Sequence, residues 1–177
     1  MCKLVGIYEL IVIIMGTLGN LFIFYVSYIN RQNSTFLFLS FLSISDMISL
    51  YWWNLNHFVQ PFTKIDLQNH NFYYCKIINF FQFTASQSSA WILILISLDR
   101  YFSVLIFNWK TSYFNFKRAL FSVTLVVTLI VLLNFHVLFT FGHIRKINNG
   151  TVDKIECYST PDSPGTFIMA EWDLVIV

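Results

Sequence analysis

The sequence predicts an all-α protein: a multi-pass transmembrane helix bundle with four spans and the start of a fifth. Two observations lead to this fold class. Of the 177 residues, 56% are hydrophobic and only 11% are charged, whereas a soluble domain carries about 25% charged residues. The apolar residues are also gathered into long segments, and about 20 residues of helix cross the hydrocarbon core of a bilayer.

The composition also excludes several function classes. The net charge of +2 is small and no basic run occurs, so nucleic acid is not an expected partner. No nucleophile–base arrangement or phosphate-binding loop is present, so an enzyme is not expected. The three cysteines form no C-x-x-C pair, which leaves zinc and redox motifs without support. Membrane lipid is therefore the expected surrounding.

The first two spans are predicted over residues 4–29 and 36–58. A cleaved signal peptide is the alternative for the first. Its apolar run is too long for a signal h-region, however, and no small-x-small cleavage site follows it. The second span contains Asp46 near its middle, and Pro61 is expected to begin a polar loop after it.

The third and fourth spans are predicted over residues 73–105 and 119–141, the latter without any charge. A polar loop over 142–166 follows. Residues 167–177 then turn apolar, but they are too few to cross a bilayer. They are interpreted as the start of a fifth span.

One helical face of span 3 is polar in its first half and apolar in its second. Steps of four and three residues along this face give Cys75, Asn79, Gln82, Ser86, Ser89, Leu93, Ile96 and Arg100. Because lipid cannot satisfy polar groups, the polar half is predicted to line a cavity. The alternative is that these side chains only hydrogen-bond to neighbouring helices as packing contacts.

Asp46 is costly at the depth of its span, by about 2.5–3.5 kcal/mol on insertion scales, so it indicates a functional site. Leu50, Trp53, His57 and Gln60 share its helical face, and they are expected to line the same cavity as Gln82. The alternative is a protonated Asp46 that only hydrogen-bonds to Asn20 across the interface with span 1.

Cys75 and Cys157 fall on the same side of a four-span membrane protein, which permits a disulfide if that side is oxidising. The glycosylation sequon at Asn149 lies on that side as well. A second sequon, at Asn33, lies on the opposite face and is expected to stay unmodified. Lysine and arginine are divided about evenly, so they do not fix the orientation.

Several motifs occur in order in separate spans: "GTLGN" ending at Asn20, "LSISD" ending at Asp46, and a serine-to-valine pattern that contains Asp99-Arg100-Tyr101. Together with Cys75 and Cys157, this set resembles the rhodopsin-like (class A) G-protein-coupled receptors. The resemblance covers nearly the whole chain, but only the first four of seven helices.

The resemblance implies roles for individual residues. Asp99, Arg100 and Tyr101 would form a cytosolic switch, in which Asp99 holds Arg100 at rest and releases it toward a heterotrimeric G protein. Asp46 and Ser89, with Asn20 nearby, would hold an allosteric sodium ion, and no other cofactor is expected. Cys75 and Cys157 would form a disulfide that ties span 3 to the loop after span 4. A multi-pass plasma-membrane protein with its N-terminus outside is implied.

The resemblance also suggests a ligand. Gln82 stands where amine receptors carry an aspartate, which argues against an aminergic ligand. Asn149-Gly150 suits a hairpin turn, and its flanks alternate loosely as strands do. A hairpin over the cavity is typical of peptide-binding members, so a neuropeptide-like extracellular ligand is expected; a disordered loop is the alternative. The pocket candidates are Trp53, His57, Gln60, Gln82 and Ser86.

The chain also departs from the family pattern. Span 4 lacks the usual tryptophan and outer proline, Phe107 stands where a proline is common, and the C-W-x-P and N-P-x-x-Y motifs are absent. Three functions therefore stay open. The chain is a fragment of a peptide receptor, a truncated form that modulates a full-length receptor, or a four-span transporter or channel subunit with Asp46 as a permeation residue.

Overall fold

The computed structural model describes residues 2–30, 33–64, 71–109, 114–146 and 153–159. These residues form five helices and two strands: α1 Cys2–Ile29, α2 Ser34–Thr63, α3 Phe72–Leu105, α4 Phe116–Asn134, α5 Val137–Thr140, β1 Phe141–Lys146 and β2 Asp153–Ser159. The predicted start of a fifth span, at 167–177, lies outside the described residues.

Four segments in the described part of the chain are long and apolar enough to cross a membrane: Lys3–Ile29, Ser34–Thr63, Phe72–Leu105 and Phe116–Thr140. The prediction of a multi-pass bundle of transmembrane helices is therefore confirmed. The protein is a multi-pass membrane protein, to which the paired strands add one hairpin.

Asparagine side chains begin two of the spans. Asn71 accepts a hydrogen bond from the backbone N–H of Tyr73 at 3.0 Å, and Asn115 accepts one from that of Arg118 at 3.1 Å. Each bond satisfies a backbone donor that the first turn of a helix leaves free. The polar turns of the sequence thus fix where α3 and α4 start.

The second span runs further than the sequence predicts. Pro61 was expected to begin a loop, but α2 continues through it to Thr63. Membrane helices tolerate proline when the freed backbone groups find other partners. Here the helix ends at Lys64, in the left-handed region, whose N–H donates to the Gln60 carbonyl oxygen at 2.9 Å.

The fourth span is interrupted, whereas the sequence predicts one continuous helix over 119–141. α4 ends at Asn134, a turn follows at residues 135–136, and α5 completes the span. The N–H of Phe135 bonds to the Leu132 carbonyl at 3.3 Å, and that of Phe139 to the His136 carbonyl at 2.9 Å. These are three-residue steps, so the helix tightens locally without any proline.

The hairpin predicted after span 4 is present. β1 and β2 pair antiparallel, with Ile144 opposite Ile155 and Lys146 opposite Asp153, and the register shifts between Phe141 and His143. The proposed turn at Asn149-Gly150 lies between the two strands and outside the described residues.

The buried core joins α2, α3 and α4 at the end of the bundle that carries Asp99. It consists of Leu37 and Phe38 from α2, Ile92 from α3, and Ala119 and Val123 from α4. Because lipid tails are as apolar as these side chains, the helices associate by close packing rather than by removing apolar surface from water. Small Ala119 and the interlocking larger residues provide that packing.

The first two spans approach each other closely at Gly16. A Cβ atom placed on Gly16 would lie 2.8 Å from Leu50 Cδ2 and 3.1 Å from Leu50 Cδ1, while one placed on Gly19 meets nothing within 4 Å. The hydroxyls of Thr17 and Tyr51 hydrogen-bond across the same interface at 3.0 Å. The first glycine of the "GTLGN" motif therefore permits helix contact, and the second has open space beside it.

A valine at position 16 is accordingly expected to destabilise the protein, and a valine at position 19 to leave it almost unchanged. Overpacking a fitted interface costs about 1–3 kcal/mol, which should shorten the half-life of Gly16→Val in detergent. Gly19→Val is the matched control. Equal half-lives for the two variants would contradict this account of the interface.

Candidate functional site

A cavity of about 360 Å³ lies between α1, α2 and α3. Its lining is mainly polar and uncharged, with a single carboxylate: Asn20, Asp46, Ser49, Leu50, Trp53, Asn54 and Gln82. Five of these residues come from α2, and α1 and α3 each add one. The sequence prediction that Asp46, Leu50, Trp53 and Gln82 share a cavity agrees with this placement.

Two hydroxyl contacts join α2 to α3 beside the cavity. Ser89 donates a hydrogen bond to Asp46 Oδ1 at 2.6 Å, and the hydroxyls of Ser49 and Ser86 lie 3.2 Å apart. A hydrogen bond to a carboxylate is stronger than one between neutral groups. Asp46 thus holds the Ser89 hydroxyl of α3 in place, and the Asp46 side chain also lines the cavity.

Three of the predicted pocket residues take other positions. His57 is half-buried, with its ring 5.0 Å from that of Trp53. Gln60 is exposed near the end of α2, and Ser86 contacts Ser49. None of the three is among the cavity-lining residues of the described chain.

Sequence reasoning missed two lining residues, Ser49 and Asn54. Both carried a signal, because Ser49 is three residues from Asp46 and Asn54 is four from Leu50, so helical spacing puts them beside the predicted face. Asn54 is buried. Because α2 packs between two neighbouring helices, residues beside the predicted face also line the cavity, and a prediction limited to that one face misses them.

Gln82 presents an unusual polar atom. Its Oε1 is buried and has no hydrogen-bond partner among the described residues. A buried acceptor without a partner costs about 1–3 kcal/mol. Because this oxygen is buried rather than open to the cavity, a ligand donor reaches it only when the side chains beside it move.

At one end of α3, Cys75 is bonded to Cys157 of β2, with the two Cα atoms 5.8 Å apart. Asn79, one turn along α3, donates to the Cys75 carbonyl at 2.9 Å and lies 3.1 Å from Cys157 Sγ. The ring of Phe83 contacts that of Phe141 in β1, with centroids 5.8 Å apart. The hairpin is thus fastened to α3 through both of its strands.

At the other end of α3, Asp99 is only 2% exposed. Its carboxylate accepts hydrogen bonds from Thr35 Oγ1 at 3.0 Å, and from Ser34 Oγ and Trp109 Nε1 at 3.3 Å each. These donors come from the start of α2 and from the segment after α3. The buried acid therefore joins three parts of the chain.

Trp109 also organises the segment that follows α3. Its ring stacks on Phe102 at 4.9 Å and on Phe114 at 5.6 Å, and Phe114 contacts Phe38 of the core at 6.0 Å. The backbone N–H of Phe114 donates to the Trp109 carbonyl at 2.7 Å. This tryptophan anchors the segment to the bundle.

Next to these buried groups lies an exposed surface. The Arg100 side chain is exposed beside buried Asp99, and Tyr101 is exposed as well. Val104 is 87% and Phe107 90% exposed. Arg100 and the exposed apolar side chains near it together form a surface that is suited to contact another protein.

Comparison with known proteins gives two results. The model of the family described as "7 transmembrane receptor (rhodopsin family)" matches residues 19–176. The Galanin-like G-protein coupled receptor npr-9 of Caenorhabditis elegans is 35% identical over 100 residues, which are 53% of this chain and 22% of that protein. The match therefore spans less than a quarter of that relative's length.

Proposed function

Since this chain belongs to the rhodopsin family of seven-transmembrane receptors, we propose that it contributes to a receptor for an extracellular neuropeptide-like ligand. The proposed receptor lies in the plasma membrane with its N-terminus outside, and it signals to a heterotrimeric G protein. The observation that carries the proposal is the construction of α3. One end is bonded to a hairpin, the middle borders a polar cavity, and the other end places exposed Arg100 beside buried Asp99.

The ligand class rests on the cavity and the hairpin. Three neutral amides and one hydroxyl share the lining with Leu50, Trp53 and the Asp46 carboxylate, and Gln82 adds no charge. Peptides present many neutral N–H donors, and a two-stranded hairpin fastened to α3 gives them additional surface to contact. The similarity to a galanin-like receptor supports a peptide over a small amine.

The test uses the receptor polypeptide that contains this chain, expressed in cells and exposed to a panel of neuropeptides and of biogenic amines. A peptide is expected to raise a second-messenger signal, and Gln82→Ala is expected to weaken its potency by about tenfold, the factor that 1.4 kcal/mol supplies. Gln60→Ala, an exposed glutamine on α2, is the control. A response to amines alone would overturn the proposed ligand class.

Signalling is proposed to act through Asp99, Arg100 and Tyr101. Asp99 fixes the end of α3 through its bonds to α2 and Trp109, while Arg100 beside it is exposed. Arg100, Val104 and Phe107 then form the surface that a G protein would contact. Trp109 packs against Phe102 of α3 beside this surface.

A sodium ion is proposed to bind at Asp46. The donor set fits, because a carboxylate, the Ser89 and Ser49 hydroxyls and the Asn20 amide lie in or beside one cavity, and hard cations prefer oxygen ligands. The ion would supply a positive charge beside the Asp46 carboxylate. With or without the ion, the Ser89–Asp46 hydrogen bond and the Ser49–Ser86 contact hold α2 against α3.

Substituting Asp46 by asparagine is expected to remove the dependence of ligand affinity on sodium and to leave a smaller change in affinity itself. The amide keeps the shape and the bond to Ser89 but has no negative charge for the ion. Titration of bound labelled peptide in sodium against choline chloride measures the effect. A sodium dependence equal to that of the parent would exclude Asp46 as the ion site.

A further inference from the structure

Span 4 contains a buried polar contact that the proposed ligand cavity and switch do not use. Asn134, the last residue of α4, is 4% exposed, and its Nδ2 donates to Gln87 Oε1 of α3 at 2.7 Å. The same nitrogen donates to the Ile130 carbonyl at 3.0 Å. This amide–amide contact joins the third span to the fourth on the far side of α3 from the cavity.

The contact lies immediately before the interruption of span 4. Side chains satisfy several backbone groups there: His136 Nδ1 lies 2.6 Å from the Leu133 carbonyl oxygen, and Thr140 Oγ1 donates to the His136 carbonyl at 3.1 Å. Inside a membrane, an interrupted helix is tolerated only when its backbone groups find such partners. The turn is therefore stabilised by hydrogen bonds that the surrounding side chains make to its backbone.

The interruption makes α5 a separate short segment, and α5 leads directly into β1. Val137, its first residue, is buried, and Phe141 at the start of β1 contacts Phe83 of α3. The direction in which the chain leaves Asn134 thus decides where the hairpin lies on α3. Any movement at the turn is passed to β1 and, through its pairing, to Cys157 in β2.

We propose that Gln87 and Asn134 form a tether that fixes the turn in span 4 and so positions the hairpin over α3. Both are positioning residues, because they act through α5 and β1 rather than by touching a ligand. The proposal does not depend on the identity of the ligand. It concerns the shape of the surface that the hairpin presents.

Access to the Cys75–Cys157 bond reports the hairpin position, because Cys75 is fully buried and Cys157 nearly so when the hairpin is in place. The test measures the rate at which the phosphine TCEP reduces this bond in membranes of cells that express the full chain, with maleimide labelling of the freed thiols. A Cys2→Ser background leaves only these two cysteines to be labelled. Gln87→Met and Asn134→Leu keep the side-chain size but remove the tether.

Both variants are expected to speed reduction by about threefold to tenfold, the range that one membrane hydrogen bond supplies. The exchange variant, Gln87→Asn with Asn134→Gln, keeps two amides and the same total length, so it should return the rate to near that of the parent. Thr128→Leu, at an exposed position of α4, is the control and should leave the rate unchanged.

Hydrogen exchange distinguishes the loss of the tether from a general destabilisation of the bundle. The tether predicts faster exchange in α5 and β1 with α2 unchanged, whereas global destabilisation would raise exchange in α2 equally and would overturn the proposal. Parent-like reduction rates in both single variants would overturn it too. If a single variant fails to accumulate, the exchange variant decides: restored accumulation supports the tether, and continued failure counts against it.

Discussion

Replacing Cys157 by serine is expected to remove most of the folded protein from the membrane. The bond closes a loop between residues 82 apart in sequence, and it fastens β2 to the start of α3. Disulfides that close long loops typically contribute about 2–4 kcal/mol, and this one is the covalent link between β2 and α3. Cys75→Ser should have the same effect, because either change breaks the same bond.

The measurement is the half-life of folded protein after extraction into detergent, together with the amount at the cell surface. Cys2→Ser is the control, since Cys2 takes no part in the Cys75–Cys157 bond, and it should match the parent. A Cys75→Ser, Cys157→Ser double variant should be no worse than either single one. A Cys157→Ser protein as long-lived as the parent would show that the hairpin is held mainly by Phe83 and its own strand pairing.

Asp99→Ala is expected to have the second large effect, and to act on stability before it acts on signalling. It leaves the donors of Ser34, Thr35 and Trp109 without this acceptor in a buried site. Each such loss costs about 1–3 kcal/mol, though losses in one cluster do not simply add. A total of about 3 kcal/mol should be visible as a sharply shortened half-life in detergent. Asp99→Asn keeps one acceptor oxygen and should fall between the parent and alanine.

The neighbouring residue provides the contrast. Arg100 is exposed, so Arg100→Ala should leave the half-life unchanged while it abolishes the proposed G-protein response. The two substitutions distinguish Asp99, which stabilises the end of α3, from Arg100, which is proposed to contact the G protein there. A shortened half-life for Arg100→Ala, or a parent-like half-life for Asp99→Ala, would contradict this division.

Much of this arrangement could be predicted from the sequence, because membrane helices and their polar faces are periodic. Asp46 and Trp53 fall on one face of α2 by helical spacing, and Gln82 falls on the polar face of α3 in the same way. The hairpin was predictable in the same way, from alternation on both sides of Asn149-Gly150. In each case the signal is local to one segment of the chain.

The remaining features depend on contacts between segments. Nothing local to Asp99 shows that Ser34 and Thr35, in another span, donate to it, since their spacing in sequence has no period. The turn after Asn134 contains no proline or glycine, so the pattern of residues predicts a continuous helix. The extension of α2 through Pro61 depends on how Lys64 closes the helix end. Such features need the neighbouring helix to be in place.

The close packing of Phe38, Ile92 and Val123 has a mechanical consequence for the bundle. Tightly filled interiors resist deformation, so α2, α3 and α4 are expected to move as one unit where these side chains meet. A force applied near the hairpin would turn the helices about this packed region. Exposed Arg100 lies just beyond it, so a small rotation would change the orientation of Arg100.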